Sequence, residues 1–193
     1  MLVTLQRYTA AIAATRHTHT VLPAGAANLE GGPKDKGARV EKIWGDLVAW
    51  LNRQGAPPTD ETKTRIDSLM AKAYGAGNCG EQAAVAYMYL TKWPNQAVRP
   101  ISYLLVPKSW VGNHAFVVLG PCANVGAGAL TQWGPGTIIC DPWMCQGYTR
   151  VAVDLGAVAQ QHKVGAYTPA QYVDALDASV PGWEEVRIIH QLA

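Results

Sequence analysis

The hydrophobic pattern of the chain changes at Trp93-Pro94, and this change limits the possible folds more than any other feature. Before it, apolar residues recur at helical spacing. After it, short runs rich in valine, isoleucine and tyrosine lie between glycines, as strands do. Helices followed by strands are typical of the α+β class. We therefore expect an α+β fold in which N-terminal helices pack on an antiparallel sheet of about five strands.

The helical part of the pattern divides into four segments. The predicted helices cover residues 2–14, residues 38–54, the segment between Thr59 and Gly75, and residues 83–90. Thr59 or Asp60 caps the third helix. Its apolar face is predicted from the helical spacing of Ile66, Leu69, Met70 and Tyr74. Residues 23–37 are rich in glycine, proline and charge, and they predict a linker.

The strand-like part predicts strands at residues 98–106, 115–119, 137–140, 150–153 and 185–189. Two further predicted helices, at residues 155–162 and 169–176, interrupt the last three of these strands. Residues 120–136 are rich in glycine and small side chains, so we expect a mobile loop without an element of its own.

Length and composition bound the class of protein. With 193 residues the chain suits one domain, 1–193, in which a helix and linker (1–37) precede a core (38–193). A net charge of +2 does not favour nucleic acid or an anionic membrane as a partner. No apolar run approaches the roughly 20 residues of a membrane-spanning helix. The first residues lack the pattern of a Sec signal, so we expect synthesis in the cytoplasm.

The segment Gly77-Asn78-Cys79-Gly80 places a cysteine between glycines directly before the fourth helix. Backbone N–H groups at a helix N-terminus have no intrahelical acceptor, and they form the positive end of the helix dipole. Both effects favour thiolate over thiol, and the thiolate is the nucleophile. Cys79 is therefore a candidate nucleophile. We assign Glu81 to the first turn of the helix and Gln82 to its solvent side.

Two later motifs supply the partners that a thiol nucleophile needs. His114 opens one strand, and Asp141 ends the next strand-like run. A histidine can act as the general base, and a carboxylate can orient it. Each residue alone also has a structural interpretation, as a buried cysteine, a packed core histidine and a turn aspartate. Their order along the chain favours a catalytic triad.

The three motifs together resemble the papain-like cysteine hydrolase and transglutaminase-like group. They are Gly-Asn-Cys-Gly-Glu at a helix start, Asn-His-Ala-Phe-Val-Val on a strand and Cys-Asp-Pro-Trp at a strand end. Within the group, the closest resemblance is to small bacterial effector and toxin domains, which include deamidases and peptidases. It covers residues 77–143 and implies a papain-like/transglutaminase-like fold. It also implies Cys79 as nucleophile, His114 as base and Asp141 as the orienting carboxylate.

The oxyanion hole departs from the papain pattern, which has a glutamine shortly before the cysteine. Residues 71–78 contain no glutamine. The backbone N–H of Cys79 is the main candidate donor, and the Asn78 side chain is the second. Trp143 is a candidate substrate-binding residue, with a core or rim aromatic as the alternative. His17 and His19 are interpreted as a surface pair.

The cysteines do not indicate a metal site. The spacing of Cys122, Cys140 and Cys145 does not match a zinc-binding motif. No histidine lies at metal-ligand spacing from Cys140 and Cys145. We expect no metal and no cofactor, and reduced cysteines.

The expected function is that of an effector- or toxin-type cysteine hydrolase acting on an amide through a thioester. We favour deamidation of a protein glutamine or asparagine, while proteolysis and transglutamination share the same intermediate. The other hypothesis is a non-enzymatic protein-binding module of the same fold, with a structural Cys79. The resemblance implies secretion or injection, a protein substrate in a target cell, and a cognate immunity or chaperone protein as a further candidate partner.

Overall fold

The computed structural model describes residues 1–26, 34–109, 112–126, 129–144, 164–179 and 185–193. Within these ranges the helices are α1 (Leu2–Val21), α2 (Lys34–Arg53), α3 (Asp60–Tyr74), α4 (Cys79–Leu90) and α5 (Pro169–Ser179). The strands are β1 (Ile101–Ser109), β2 (Gly112–Leu119), β3 (Val125–Gly126), β4 (Ile138–Cys140), β5 (Ala166–Tyr167) and β6 (Glu185–Leu192). The α+β class predicted from the sequence is confirmed.

The strands form a six-stranded antiparallel sheet in the order β3-β6-β1-β2-β4-β5. The central hairpin of β1 and β2 pairs Ile101 with Leu119 and Val106 with His114. Two of the six strands, β3 and β5, are not predicted from the sequence because, at two residues each, they are too short to give a pattern. The predicted strand at 150–153 and helix at 155–162 lie outside the described residues.

Side chains of β2 alternate between two hydrophobic cores. Ala115, Val117 and Leu119 pack in the core that includes α1 and α4, whereas Phe116 packs in a second core that includes residues of α5. The sheet is therefore covered on both faces. His114, two residues before Phe116, lies on the α5 side.

The first helix belongs to the core. α1 continues beyond the predicted end at residue 14, and its alanines Ala10, Ala11 and Ala14 are fully buried. Small side chains allow it to lie close to α4 and β4. The predicted linker is shorter than expected, since α2 already begins at Lys34; residues 27–33 lie outside the described ranges.

The most deeply buried face of α3 differs from the predicted apolar face, of which Ile66, Met70 and Tyr74 are half-buried. The helix buries Thr64, Ser68 and Ala71, while Leu69 is 62% exposed. Ala71 packs in one cluster with Val85 of α4, and the small side chains on the buried face of α3 permit a short distance between the two helix axes. The Thr64 hydroxyl donates to the Asp60 carbonyl at 3.0 Å, which satisfies it within the helix.

Residues 120–136 contain ordered elements, so the expectation of a loop without one is wrong. β3 pairs with β6, and Leu130–Trp133 forms a 3-10 helix. The Trp133 indole donates to the Ala123 carbonyl at 2.9 Å, and Leu130 is fully buried. These two side chains anchor a segment whose composition alone indicates disorder. Among the described parts of the chain, no helix has the length and apolar character to cross a membrane.

A short turn between α3 and α4 determines where α4 begins. Gly75 ends α3 in the left-handed region with φ of 65°, a conformation that favours glycine. A Cβ on Gly77 would lie 2.6 Å from the Cβ of Glu81. Glycine at position 77 is therefore required by the first turn of α4.

We predict opposite effects of alanine at two glycines. Gly77→Ala should lower the free energy of unfolding by about 1–3 kcal/mol, the usual range for overpacking. Gly45→Ala in α2 meets no atom within 4 Å and should raise it by up to about 1 kcal/mol, because alanine favours the helix. Urea unfolding of both variants measures the difference. Equal effects would contradict the steric role of Gly77.

Candidate active site

Cys79 is the first residue of α4, as the glycine-bounded motif predicts. Asn78 is the N-cap residue, and its backbone N–H donates to Glu81 Oε2 at 2.8 Å. This bond is one half of a capping box. Glu81 therefore has the first-turn position expected from the sequence, and it fixes the start of the helix at the cysteine.

Gln82 differs from its predicted position on the solvent side. It is fully buried, and its side-chain amide donates to the Gly77 carbonyl at 2.9 Å. The bond connects the first turns of α4 to the loop in front of Cys79. Gln82 therefore supports the backbone that carries the candidate nucleophile.

His114 and Asp141 are brought together by the pairing of β2 with β4. Val117 lies opposite Cys140, so Asp141, the next residue, continues along β2 towards His114. His114 Nε2 lies 2.6 Å from Asp141 Oδ2. Both side chains are buried, with exposures of 2% and 0%. The candidate base and its candidate orienting group thus form a buried hydrogen-bonded pair.

Cys79 approaches the same imidazole from the start of α4. Its thiol is close enough to the imidazole to be one of the causes that raise the pKa of His114, and its Sγ lies 3.5 Å from the Asn113 carbonyl oxygen. Because Nε2 is engaged by Asp141, Nδ1 is the ring nitrogen left to face the sulfur. Cys79 is only half-buried. The structure therefore brings together the three residues of the predicted triad.

The Asp141 carboxylate has further donors that the sequence does not reveal. The Tyr172 hydroxyl on α5 donates to Oδ2 at 2.5 Å, and the Met144 backbone N–H donates to Oδ1 at 3.1 Å. The Asp141 backbone N–H donates to the Gly165 carbonyl at 2.9 Å. In the sequence, Tyr172 is one of several apolar residues of a helix, and no local signal links it to the site.

The first helix supports the turn after β4. The His19 ring lies 2.9 Å from the Pro142 carbonyl oxygen, and the Thr15 hydroxyl donates to the Gly165 carbonyl at 3.3 Å. The interpretation of His17 and His19 as a surface pair is wrong: both are half-buried, and His17 stacks on Tyr89 at 4.5 Å. α1 thereby contacts the segment that holds Asp141.

The candidate substrate-binding residue Trp143 and the candidate oxyanion donor Asn78 have different surroundings. The Trp143 ring lies 5.0 Å from the His114 ring at an angle of 57°, and it is half-buried. Trp143 therefore packs beside the imidazole and is still partly exposed. The Asn78 side-chain amide donates to Glu41 on α2 at 3.4 Å.

The surroundings shift the pKa values of His114 and Tyr172. Burial alone would lower the pKa of His114, but the charge and hydrogen bond of Asp141, together with Cys79, outweigh burial and raise this pKa above its ordinary value. Burial, and next the charge of Asp141, raise the pKa of Tyr172 well above its usual range. Near neutral pH the site therefore combines an imidazolium with a neutral phenol donor.

Two carboxyl groups lie behind the start of α4. Burial raises the pKa of Glu81, and burial together with the charge of Glu81 raises the pKa of Asp67 on α3 to about 7. A carboxyl with a pKa near 7 is partly protonated near neutral pH, so Asp67 is only partly charged there.

The other cysteines of the described residues have no comparable surroundings. Cys122 and Cys140 are free thiols, and Cys140 is fully buried, which raises its pKa to about 12. Cys145 lies outside the described ranges. Within those ranges, no three histidine, cysteine or carboxylate side chains form a group that could hold a metal ion.

No protein-family model, curated protein or solved structure matches this chain. Similarity therefore assigns no family and no function. The functional argument depends on the geometry around Cys79, His114 and Asp141.

We predict that Cys79 reacts faster than Cys122 and Cys140, the other free thiols among the described residues. Iodoacetamide labelling near neutral pH, read by peptide mass spectrometry, measures Cys79, Cys122 and Cys140 in the same sample. His114→Ala should slow the labelling of Cys79 at least about tenfold, because an adjacent imidazolium favours the thiolate. Cys122, which donates to the Ser102 hydroxyl at 3.2 Å, is the internal control and should not change. An unchanged Cys79 rate in the folded variant would contradict the coupling.

The buried pair also predicts how stability depends on pH. The folded pKa of His114 is raised above its ordinary 6.5, so its stabilising contribution is complete below that value and is lost as the pH rises through the raised pKa. Urea unfolding across the alkaline range should therefore show a smaller loss in His114→Gln than in the parent. His190→Gln is the control, since burial lowers the pKa of His190. If the unfolding free energies of the parent and His114→Gln fell in parallel with pH, the result would contradict a raised pKa of His114.

Proposed function

We propose that the protein is a cysteine-dependent hydrolase that acts on amides through a thioester on Cys79. One observation carries the proposal: a buried His114–Asp141 pair presents the other side of the imidazole to a half-exposed thiol at a helix N-terminus. A nucleophile, a base within hydrogen-bonding reach and a group that orients the base are the requirements of thiol catalysis.

In the first half of the proposed reaction, the Cys79 thiolate forms a bond to the carbonyl carbon of the amide. The carbonyl oxygen becomes an oxyanion, which the backbone N–H of Cys79 can stabilise because helix geometry leaves it without an intrahelical acceptor. The carbon–nitrogen bond then breaks, and the His114 imidazolium gives its proton to the leaving nitrogen. A thioester and a free amine or ammonia result.

In the second half, water attacks the thioester carbon and His114 accepts a proton from it. The carbon–sulfur bond breaks, the acid product leaves, and the thiolate–imidazolium pair is restored. Asp141 holds the Nε2–H group throughout, so that the other ring nitrogen stays directed at the reacting atoms.

We propose a glutamine or asparagine side chain of a protein as the substrate, and deamidation as the outcome. The support is the resemblance of the Cys79, His114 and Asp141 motifs to small bacterial effector and toxin domains. An α+β fold with the cysteine at a helix start and the histidine on a strand fits the papain-like/transglutaminase-like architecture. Delivery into a target cell, with a cognate immunity or chaperone protein, belongs to the same proposal.

The test compares the parent protein with Cys79→Ser in extracts of candidate target cells. The parent should convert amide side chains of specific proteins to acids, which mass spectrometry detects, whereas Cys79→Ser should be inactive because a serine hydroxyl is a far weaker nucleophile. The variant should stay within about 1 kcal/mol of the parent in unfolding free energy. Cys122→Ser is the matched control and should retain activity.

The products distinguish the related reactions. Cleaved peptide bonds would indicate a protease, and amine adducts would indicate a transglutaminase, both through the same thioester. Full activity in folded Cys79→Ser would contradict the thioester mechanism and favour the binding-module hypothesis.

Asp141→Ala should affect both activity and stability. It should reduce activity less than Cys79→Ser, because it removes the orientation of the base and leaves the nucleophile. It should also lower the unfolding free energy by at least about 2 kcal/mol, since buried donors from His114, Tyr172 and Met144 lose their acceptor. Urea unfolding beside the activity assay checks both parts. A fully active and equally stable variant would contradict the role of Asp141.

A further inference from the structure

Asp141 Oδ2 accepts hydrogen bonds from two different elements. His114 Nε2 approaches it from β2 at 2.6 Å, and the Tyr172 hydroxyl approaches it from α5 at 2.5 Å. All three residues are buried. Since Oδ1 accepts from the Met144 backbone N–H, the carboxylate cannot rotate without losing at least one of these bonds.

The ring of Tyr172 and its hydroxyl have separable roles. The ring packs against Phe116 at 4.9 Å and Tyr167 at 5.4 Å, contacts that phenylalanine would make equally well. A buried hydroxyl is unfavourable unless it is hydrogen-bonded. The bond that this hydroxyl makes is to the oxygen that holds the catalytic base. Packing alone therefore does not account for a tyrosine at this position.

From this geometry we propose that Tyr172 is a positioning residue of the triad, which acts through Asp141. Its hydroxyl holds the carboxylate in place. By hydrogen bonding to Oδ2, it also weakens the attraction between this oxygen and the His114 ring. This inference adds a residue to the proposed catalytic site, and its catalytic part rests on the proposed function. Among the described residues, the groups facing the imidazole are Cys79 from α4 and Asp141 from the end of β4, with Tyr172 behind Asp141.

The hydroxyl should weaken the hold of Asp141 on the imidazolium, because two donors on one oxygen share its charge. Tyr172→Phe removes this competition. The titration midpoint of His114 should then move upward by about half a pH unit or more, given that one unit corresponds to 1.36 kcal/mol of differential interaction. Turnover should fall as well, because the carboxylate loses one of the bonds that orient it.

The experiment follows the His114 ring by proton NMR across the alkaline range, in the full chain. Tyr172→Phe should move the midpoint upward. Site-specific 3-fluorotyrosine at position 172, a more acidic phenol and hence a stronger donor, should move it downward. Tyr89→Phe is the matched control on α4, where the ring stacks on His17, and it should leave the midpoint unchanged.

Opposite shifts of the His114 midpoint in Tyr172→Phe and in the fluorotyrosine protein support the positioning role. A purely structural role would lower the melting temperature, but the midpoint would not follow the hydrogen-bond donor strength of residue 172. Midpoints that coincide with the parent in the fluorotyrosine protein would overturn the proposal, even where Tyr172→Phe fails to fold. The measurement needs no substrate. Opposite shifts beside a fully active Cys79→Ser would leave the Tyr172–Asp141 coupling intact and refute the thioester mechanism instead.

Discussion

A carboxylate inside a protein is tolerated only where hydrogen-bond donors replace the water that it loses. Around Asp141 these donors come from three parts of the chain: β2 with His114, α5 with Tyr172, and the turn after β4 with Met144. They can meet only if β2 pairs with β4 in the observed register and α5 packs on the same side of the sheet. The solvation of one carboxylate therefore couples strand register, helix packing and the geometry of the candidate triad.

The charges around α4 follow a related logic. The dipole of the helix and the imidazolium of His114 both favour negative charge at the cysteine. Glu81 and Asp67 lie behind this helix start, and burial raises the pKa of both carboxyl groups. Cys140 shows the contrast, since its thiol is fully buried beside the Thr15 hydroxyl at 3.7 Å and lies at no helix start. The helix start and the imidazole, more than the presence of a thiol, distinguish Cys79.

The sequence predicts the parts of the fold that depend on local signals. Helical spacing, glycine stops and alternating apolar runs identify α2, α4 and the central strands, and they place Cys79 at a helix start and His114 near the start of a strand. Contacts between distant residues have no such signal. Tyr172 lies 31 residues from Asp141, and His19 lies 123 residues from Pro142. Hydrophobic periodicity also does not identify the most buried face of α3, because that face consists of the small residues Thr64, Ser68 and Ala71.

The contacts of α1 affect how the protein can be divided. His19 contacts the Pro142 carbonyl, and Thr15 contacts the Gly165 carbonyl, to which the Asp141 backbone N–H also donates. The alanines of α1 pack in the core beside α4. A fragment that begins at residue 38 would expose this alanine-lined surface and lose both contacts, so we expect it to be less stable than the full chain. A synthetic peptide of residues 1–22 would have a complementary groove to occupy, which makes the chain suitable for fragment complementation. Reassembly of the two pieces would then report directly on the integrity of the Asp141 turn.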